Sequence, residues 1–198
     1  VVLACRSPER GENARKELLS QQPNGSAEVI QIDLSDLQSV ATFCDTMNAE
    51  GSAIDLLVNN AGVMGPPFTT TAQGYELQFG VNHLGHFALT GGLLPLLLKT
   101  PNSRIVNVAS VAHRRARLRL DNVRGEGRYS RWAMYAQSKL ANLLFTFELA
   151  QRLEAASSTL LSVAAHPGVS QTELPRHNWV VRLLSPLGTQ SAARGAEP

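Results

Sequence analysis

Short apolar runs alternate with stretches of helical period along the chain. Five of the runs are rich in Val, Ile, Leu and Ala and are too short for helices, which is typical of strands buried on both faces. They span residues 1–5, 28–33, 54–58, 104–109 and 159–165. Because helical stretches separate the runs, the chain is expected to form β–α–β units around a parallel sheet.

Four stretches repeat apolar residues at the three- and four-residue spacing of a helix face. They span residues 8–22, 37–47, 74–98 and 132–153. Pro8 suits a helix start, and Ser35 to Gln38 form a capping-box pattern before the second helix, for which Gly51 suits the end. Pro95 is expected to kink or end the third helix.

Length and composition fit a single domain over residues 1–198, with short helical pieces and loop in 174–198. The chain is 43% hydrophobic and 17% charged, and its net charge of +2 argues against a nucleic-acid partner. The two cysteines, Cys5 and Cys44, are too few for a disulfide scaffold and are expected to be buried free thiols.

The apolar runs also bear on membrane insertion and location. No apolar run approaches the roughly 20 residues that span a bilayer, and no signal peptide precedes the first strand. We therefore expect no transmembrane segment and a cytoplasmic location, with membrane association of a longer parent protein left open.

Polar residues follow three of the predicted strands where each strand ends. Residues 59–62 (Asn-Asn-Ala-Gly) follow the third strand, Ser110 follows the fourth, and residues 166–168 (His-Pro-Gly) follow the fifth. Parallel α/β sheets bind ligands at the carboxyl ends of their strands, so these residues predict a common ligand crevice.

Tyr135 and Lys139 lie four residues apart in the last predicted helix and therefore share a face. An ammonium near a phenol favours the phenolate and would lower the phenol's pKa from about 10, which suits general acid–base chemistry. By itself this pair is a weak signal, because the face of an ordinary amphipathic helix produces the same spacing.

Five motifs in order along the chain resemble the short-chain dehydrogenase/reductase superfamily. The stretch 81–87 (Val-Asn-His-Leu-Gly-His-Phe) is most similar to its retinol dehydrogenase-like subgroup. The resemblance implies a Rossmann-like, doubly wound parallel sheet in a three-layer α/β/α domain. The motif residues are Asn59 to Gly62, Asn82, Ser110, Tyr135 with Lys139, and Pro167-Gly168 with Thr172.

The resemblance also implies catalytic roles for four of these residues. Tyr135 would exchange a proton with the substrate carbonyl or hydroxyl, and Ser110 would polarise that carbonyl. Lys139 would hold the nicotinamide ribose and lower the Tyr135 pKa. Asn82 would anchor a water in a proton relay.

A nicotinamide cofactor follows from the same resemblance. Arg6 stands at the end of the first visible strand, where an acidic residue would favour NAD; its guanidinium suits the 2′-phosphate of NADP. NADP(H) is therefore favoured over NAD(H), with a solvated loop arginine as the alternative. Besides Arg6, Tyr135 and Lys139, the implied cofactor contacts are Asp33, Asn60, Ala61, Gly62, Pro167, Gly168, Val169 and Thr172.

The chain departs from the family pattern at both ends. No G-x-G-x-x-G turn occurs in it, and it opens at what corresponds to the family's second strand and stops before the last. In the expected strand order 3-2-1-4-5-6-7, the absent strand would lie between residues 1–5 and 54–58, so its loss would leave two strand edges unpaired.

Two hypotheses about function stay open on these grounds. The first is an NADP-dependent oxidoreductase that interconverts a small lipophilic alcohol and its aldehyde or ketone, with a homodimer formed through helices 74–98 and 132–153 as a guess from relatives. The second is a truncated, non-catalytic remnant that binds no cofactor and acts only through protein contacts.

Two further features have simpler interpretations. His83 and His86 lack a third ligand at metal spacing, so packing roles are favoured and no metal is expected. Residues 113–131 hold seven arginines, which could bind an anionic substrate, a phospholipid surface or nucleic acid. A solvated loop over the active site is favoured, because two acidic residues interrupt the run and no aromatic ladder accompanies it.

Overall fold

The computed structural model describes residues 1–166, in which strands alternate with helices as the sequence predicts. Residues 167–198, including Pro167, Gly168, Val169, Thr172 and the stretch 174–198, lie outside this range. The strands are β1 (Val2–Cys5), β2 (Glu28–Gln31), β3 (Leu56–Asn59), β4 (Arg104–Val108) and β5 (Leu161–Ala165). The helices are α1 (Pro8–Gln21), α2 (Leu37–Glu50), α3 (Leu77–Phe79), α4 (His86–Lys99) and α5 (Arg131–Ala155), and a π-helical turn, Gly80–Gly85, joins α3 to α4.

The described strands form two parallel sheets. β1 pairs with β2, and β3, β4 and β5 pair in that order. β1 and β3 do not pair with each other, which is the break expected between residues 1–5 and 54–58. Because every ladder between these strands is parallel, the carboxyl ends of β3, β4 and β5 meet at one edge, as in other doubly wound Rossmann-like folds.

The main core lies between α2, α4 and the sheets. Val40, Phe43, Leu93, Leu97 and Ile105 are its central members, and Leu97 and Ile105 have no exposed surface. Each fully buried Leu or Ile side chain contributes about 2 kcal/mol of hydrophobic free energy. The helical period of α2 and α4 therefore positions α4 firmly across the three-stranded sheet.

One face of that sheet is open within residues 1–166. Val58, Val106 and Val163 are register partners across β3, β4 and β5. Val58 is 50% exposed and Val163 is 41% exposed. Parallel sheets normally have both faces covered, so this row is an apolar surface that the described helices leave uncovered.

Two helix boundaries differ from the sequence prediction in detail. Pro95 lies inside α4 and does not end it. Asp36, rather than Ser35, is the N-cap of α2, because the Ser35 hydroxyl donates to Asp33 Oδ1 instead. Gly51 ends α2 in the left-handed conformation (φ +67°), as predicted.

The helical stretch Leu77–Lys99 is, by length and composition, apolar enough to cross a membrane. It is also a core helix of this fold: Leu89, Leu93, Leu96 and Leu97 belong to the main core cluster. A buried helix of a globular domain passes the same test, so its apolar character is accounted for by packing.

Candidate active site

Helix α5 turns its most buried face toward the carboxyl edge of the three-stranded sheet. Ser130 caps the helix by accepting a hydrogen bond from Ala133 N. Tyr135, Ser138, Lys139 and Asn142 follow at helical spacing, and none is more than 6% exposed. Buried polar side chains need partners inside the fold, and each of these four has one.

Tyr135 faces Ser110, the residue that follows β4. The Ser110 side chain hydrogen-bonds Tyr135 and acts to lower its pKa, but burial outweighs this and holds the pKa of Tyr135 above its usual value. Ser110 is itself fixed as the cap of a short 3-10 turn, where its Oγ accepts from Ala112 N at 3.3 Å. The fold thus places a hydroxyl against the phenol, both beside the strand ends.

Lys139 does not lower the Tyr135 pKa in this structure, contrary to the sequence-based expectation. Its Nζ lies 6.0 Å from the Tyr135 ring centroid and donates to Val108 O at 2.9 Å. Burial lowers the pKa of Lys139 itself to about 8. The buried ammonium is therefore held at the end of β4, on the side of the Tyr135 ring.

Asn82 lies in the π-helical turn between α3 and α4 and has no exposed surface. Its Oδ1 accepts from Val63 N at 2.7 Å, while its Nδ2 donates to Val63 O at 2.9 Å and to Ser138 Oγ at 3.1 Å. Ser138 Oγ in turn donates to Tyr135 O at 2.8 Å. A π turn frequently marks a functional position in a helix, and here it connects the loop after β3 to α5.

Gly62 packs against the side chains of Asn82 and Lys139. A Cβ at Gly62 would lie 3.1 Å from Asn82 Oδ1 and 3.9 Å from Lys139 Nζ. Because the Asn82 side chain occupies the space that a Cβ would need, a glycine is required for this close packing. Gly62, Asn82 and Lys139 thus form a polar cluster after β3, which we call the Gly62 cradle.

The remaining described cofactor candidates follow the amino-terminal strands. Arg6 is exposed and immediately precedes Ser7, the N-cap of α1, so the residue lies next to a helix N-terminus. Asp33 follows β2, and its Oδ1 accepts from Ser35 N and Oγ at 2.8 and 2.6 Å. Asn60 and Ala61 are exposed after β3. The structure records no contact between Arg6 or Asp33 and the Tyr135 cluster.

The two histidines have structural surroundings. The His83 ring packs among Phe79, Phe87 and Phe145, and its Nδ1 lies 3.1 Å from Asn142 Oδ1. Burial lowers the pKa of His83, and it lowers the pKa of His86 to about 4. Residues 1–166 contain no group of three side chains that could hold a metal ion.

Sequence reasoning missed several residues that hold this site together. Gln137 clamps the main chain of Arg119 through two hydrogen bonds of 3.2 and 3.3 Å. Gln78, which has no exposed surface, accepts from Gly65 N and donates to Arg131 O. No sequence signal marked these two glutamines, since the residue type alone does not reveal which main chain a glutamine will bind.

The family model described as short chain dehydrogenase matches residues 1–179. Human retinol dehydrogenase 11 is 47% identical over 182 residues, which are 92% of this chain and 57% of that protein. The chain thus spans little more than half of that relative's length. The chain belongs to the short-chain dehydrogenase family and to its retinol dehydrogenase-like branch, as the motifs predict.

Solved structures agree with this assignment. The crystal structure of an uncharacterized protein from Mycobacterium paratuberculosis is similar with a TM-score of 0.77 and 44% identity, over 96% of this chain and 67% of that one. A short-chain dehydrogenase from Sphingobium yanoikuyae in complex with NADPH has a TM-score of 0.69 at 21% identity, over 89% of this chain and 64% of that one. This second likeness supports the fold.

Proposed function

We propose that the protein is an NADP-dependent oxidoreductase that interconverts an alcohol and its aldehyde or ketone. Membership of the short-chain dehydrogenase family supports oxidoreductase chemistry at CH–OH groups. The observation that carries the proposal for this chain is the cluster at one sheet edge, where Ser110, Tyr135, Lys139 and Asn82 are brought together from β4, α5 and the π turn.

The cluster provides a proton at a defined place. Tyr135 gives its hydroxyl proton to the carbonyl oxygen in reduction and takes it back in oxidation. Burial raises the pKa of Tyr135 and so favours the protonated phenol, the form that gives its proton in reduction. Ser110 donates a hydrogen bond to the same substrate oxygen and stabilises the charge that develops on it. The nicotinamide, when bound, supplies or accepts the hydride.

Lys139 supplies a positive charge for the cofactor, and Asn82 holds the neighbouring loop in position. The Lys139 ammonium donates a hydrogen bond to Val108 O, and an ammonium has three hydrogens to donate, so a ribose hydroxyl at the Gly62 cradle would complete its shell. Asn82 holds the loop after β3 against α5 through Val63 and Ser138. The side-chain oxygen and nitrogen of Asn82 both bond to protein atoms. A water in a proton relay would therefore lie beside Asn82 and would not be held by its side-chain amide.

Arg6 supports NADP over NAD. An exposed guanidinium beside the N-terminus of α1 gives a 2′-phosphate both a bidentate partner and backbone N–H groups. Several structural neighbours carry NADPH or NADP in their crystals. Pro167, Gly168, Val169 and Thr172 stay in the proposal as the carboxamide side, outside the described residues.

The substrate we propose is small and lipophilic, by analogy with the retinol dehydrogenases that the chain resembles. A homodimer through the long helices is part of the same proposal. Phe87 and Leu98 on α4 and Leu144 and Phe147 on α5 are each at least 45% exposed, which provides an apolar surface for such pairing.

A second candidate function is a non-catalytic protein that acts through protein contacts. It is favoured by the separate sheets, because β1 and β3 each leave a parallel edge unpaired within residues 1–166. Unpaired edges beside an open apolar face are surfaces on which another chain could pair.

One assay separates the two functions. The purified chain is incubated with NADPH and a panel of medium-chain and long-chain aldehydes, and NADPH consumption is followed by absorbance. The proposal expects turnover that Tyr135→Phe reduces by about two to four orders of magnitude, with Tyr75→Phe as the matched control. Folded protein that consumes no NADPH with any aldehyde would favour the second candidate.

A further inference from the structure

The segment between β4 and α5 combines strong positive charge with exposed position. Its residues 113–131 contain seven arginines, no lysine and two acidic residues, which gives a charge of +5 against +2 for the whole chain. All seven guanidinium-bearing residues are exposed. They are Arg114, Arg115, Arg117, Arg119, Arg124, Arg128 and Arg131.

Large apolar side chains are exposed among these arginines. Leu120 is 67% exposed, Val111 is 46%, Trp132 is 42% and Leu118 is 40%. Single exposed apolar residues are ordinary on protein surfaces. Here four such side chains occur within residues 111–132 and alternate with arginines. This composition is typical of a surface that lies in a membrane interface. We call residues 111–132 the basic–apolar segment.

Contacts with the rest of the fold fix the basic–apolar segment. Gln137 clamps both main-chain groups of Arg119, and the Tyr129 hydroxyl donates to the buried Glu76 at 3.2 Å. Arg124 donates to the carbonyl groups of Gln73 and Gly74 at 3.1 and 3.2 Å. The surface is therefore formed in advance, and docking it does not require a long loop to become ordered.

Some of the arginines already have partners, and others are available. Arg119 pairs with Asp121 at 3.2 Å, and Arg131 reaches Gly65 O. Within residues 1–166, the guanidinium groups of Arg114, Arg115 and Arg117 make no hydrogen bond or ion pair, and the same holds for Arg128. These four are exposed cations without an acidic partner in that range, and three of them lie within six residues of Leu118 and Leu120 along the chain.

We propose that the basic–apolar segment docks the protein onto an anionic lipid surface. The free arginines contact lipid headgroups, while Leu118, Leu120 and Trp132 enter the boundary between headgroups and acyl chains. The segment begins after Ser110 and ends at the helix that carries Tyr135, so docking brings this pair close to the bilayer. Delivery of a lipophilic substrate from that bilayer would follow, and this consequence rests on the proposed function.

A lipid surface fits this segment better than a nucleic acid does. Sequence-tolerant nucleic-acid binding uses exposed aromatic rings on which bases stack. In the basic–apolar segment only Trp132 is an exposed aromatic residue, because Tyr129 is half-buried and bonded to Glu76. The exposed Leu118 and Leu120 have no role on a phosphate backbone, whereas acyl chains accommodate them.

The test is co-sedimentation of the purified chain with vesicles of phosphatidylcholine alone or mixed with phosphatidylserine. Binding should require the anionic lipid and should weaken between about 0.1 M and about 0.5 M salt. Replacing Arg114, Arg115 and Arg117 by Gln should lower the partition coefficient by about two orders of magnitude, since each arginine near the surface contributes roughly five-fold. Leu118→Ser with Leu120→Ser should lower it at unchanged charge.

The matched control removes three positive charges elsewhere. Lys16, Lys99 and Arg104 are exposed outside the basic–apolar segment, and their joint replacement by Gln gives the same net charge as the arginine variant. This control should sediment like the parent chain. Equal loss in both triple variants, or binding that Leu118→Ser with Leu120→Ser leaves unchanged, would overturn the proposal. An RNA oligonucleotide that binds tightly while anionic vesicles do not would overturn it in favour of a nucleic-acid partner.

Vesicle binding is measured without cofactor or substrate, so its result is independent of the oxidoreductase assay. Trp132 gives a second readout, because its emission should shift to the blue on anionic vesicles as the ring leaves water. The Trp132→Phe variant should lack that part of the shift. A parent and a Trp132→Phe variant with identical shifts would mean that this residue does not enter the lipid, and the docking geometry would be wrong.

Discussion

The side chain of Asn82 holds both main-chain polar groups of Val63, with Oδ1 2.7 Å from Val63 N and Nδ2 2.9 Å from Val63 O. Val63 directly follows Gly62, and Asn82 lies in the π turn before α4. Two hydrogen bonds from one buried carboxamide therefore fix the loop at the end of β3. The position of Gly62 relative to Lys139 depends on this one contact.

Replacing Asn82 by Ala should destabilise the protein, because it removes the partners of the partly buried N–H and carbonyl of Val63. An unsatisfied buried group costs about 1–3 kcal/mol, and these two groups are only partly buried, so the free energy of unfolding should fall by about 2 kcal/mol. Urea denaturation followed by circular dichroism measures this loss. The control is Asn13→Ala at an exposed position of α1, which should change stability by less than about 0.5 kcal/mol.

Replacing Tyr135 by Phe should remove turnover while leaving cofactor affinity nearly unchanged. The hydroxyl supplies the transferred proton, and removing a general acid costs about two to four orders of magnitude in rate. Single-turnover measurement of NADPH oxidation gives the chemical step, and a fluorescence titration gives the cofactor dissociation constant. If turnover in Tyr135→Phe matched the parent, Tyr135 would have no part in the chemistry.

Lys139 predicts a pH dependence of stability. Burial lowers its pKa from the ordinary 10.5 to about 8 in the folded protein. Between these values the unfolded chain binds the proton and the folded chain does not, so this residue's contribution to stability rises with pH over that interval. Unfolding free energies of the parent minus those of Lys139→Met should therefore increase from about pH 8 to about pH 10.5.

If the difference in unfolding free energy between the parent and Lys139→Met did not change across this pH interval, Lys139 would have its ordinary pKa.

Deprotonation of Lys139 should also weaken the proposed cofactor contact. As the ammonium loses its proton above about pH 8, its interaction with a ribose hydroxyl weakens and NADPH affinity should fall. Affinity in Lys139→Met should lack this fall.

Arg6→Asp should weaken NADPH binding more than NADH binding. The substitution removes the guanidinium from the N-terminus of α1 and puts a carboxylate where the 2′-phosphate would lie. Parallel titrations with the two cofactors measure the ratio of their dissociation constants. Lys16→Asp, farther along the same helix and also exposed, is the control for net charge and should leave the ratio unchanged.

If Arg6→Asp weakened the binding of NADPH and NADH equally, Arg6 would be a solvated loop residue without a role in cofactor choice. The comparison is independent of catalysis, because it needs no substrate. It also separates the cofactor proposal from the choice of reaction: a chain that prefers NADPH without reducing any aldehyde would keep Arg6 in its role.

The spacing of apolar residues was sufficient to predict the strands and the long helices. Each of them places its apolar residues toward one neighbouring layer of the fold, so the spacing shows directly which type of element it is. The N-cap of α2 could not be predicted, since the Ser35 hydroxyl is taken by a competing hydrogen bond to Asp33. The continuation of α4 through Pro95 could not be predicted either, since the local rule for proline says nothing of the leucines that pack the helix into the core. The break between β1 and β3 was predictable from the family's strand order.

The candidate site was predictable only as far as its motifs reach. Tyr135, Ser110 and Asn82 come together as expected, but the direction of the Tyr135 pKa was wrong, because sequence spacing does not reveal how deeply the phenol is buried. The same spacing predicts Lys139 near Tyr135, and its Nζ does lie 6.0 Å from the Tyr135 ring centroid, while its hydrogen bond to Val108 O was not predicted. Gln78 and Gln137 were missed because glutamine in a helix carries no signal of the main chain that it will bind.

The most direct test of the account is a fluorescence titration of the purified chain with NADPH, with NADH alongside and circular dichroism to establish that the chain is folded. The account predicts saturable binding that is tighter for NADPH than for NADH and that weakens when Gly62→Ala puts a Cβ in the cradle beside Asn82 and Lys139. Folded protein that binds neither cofactor would contradict it and would leave protein contacts as the function of this chain.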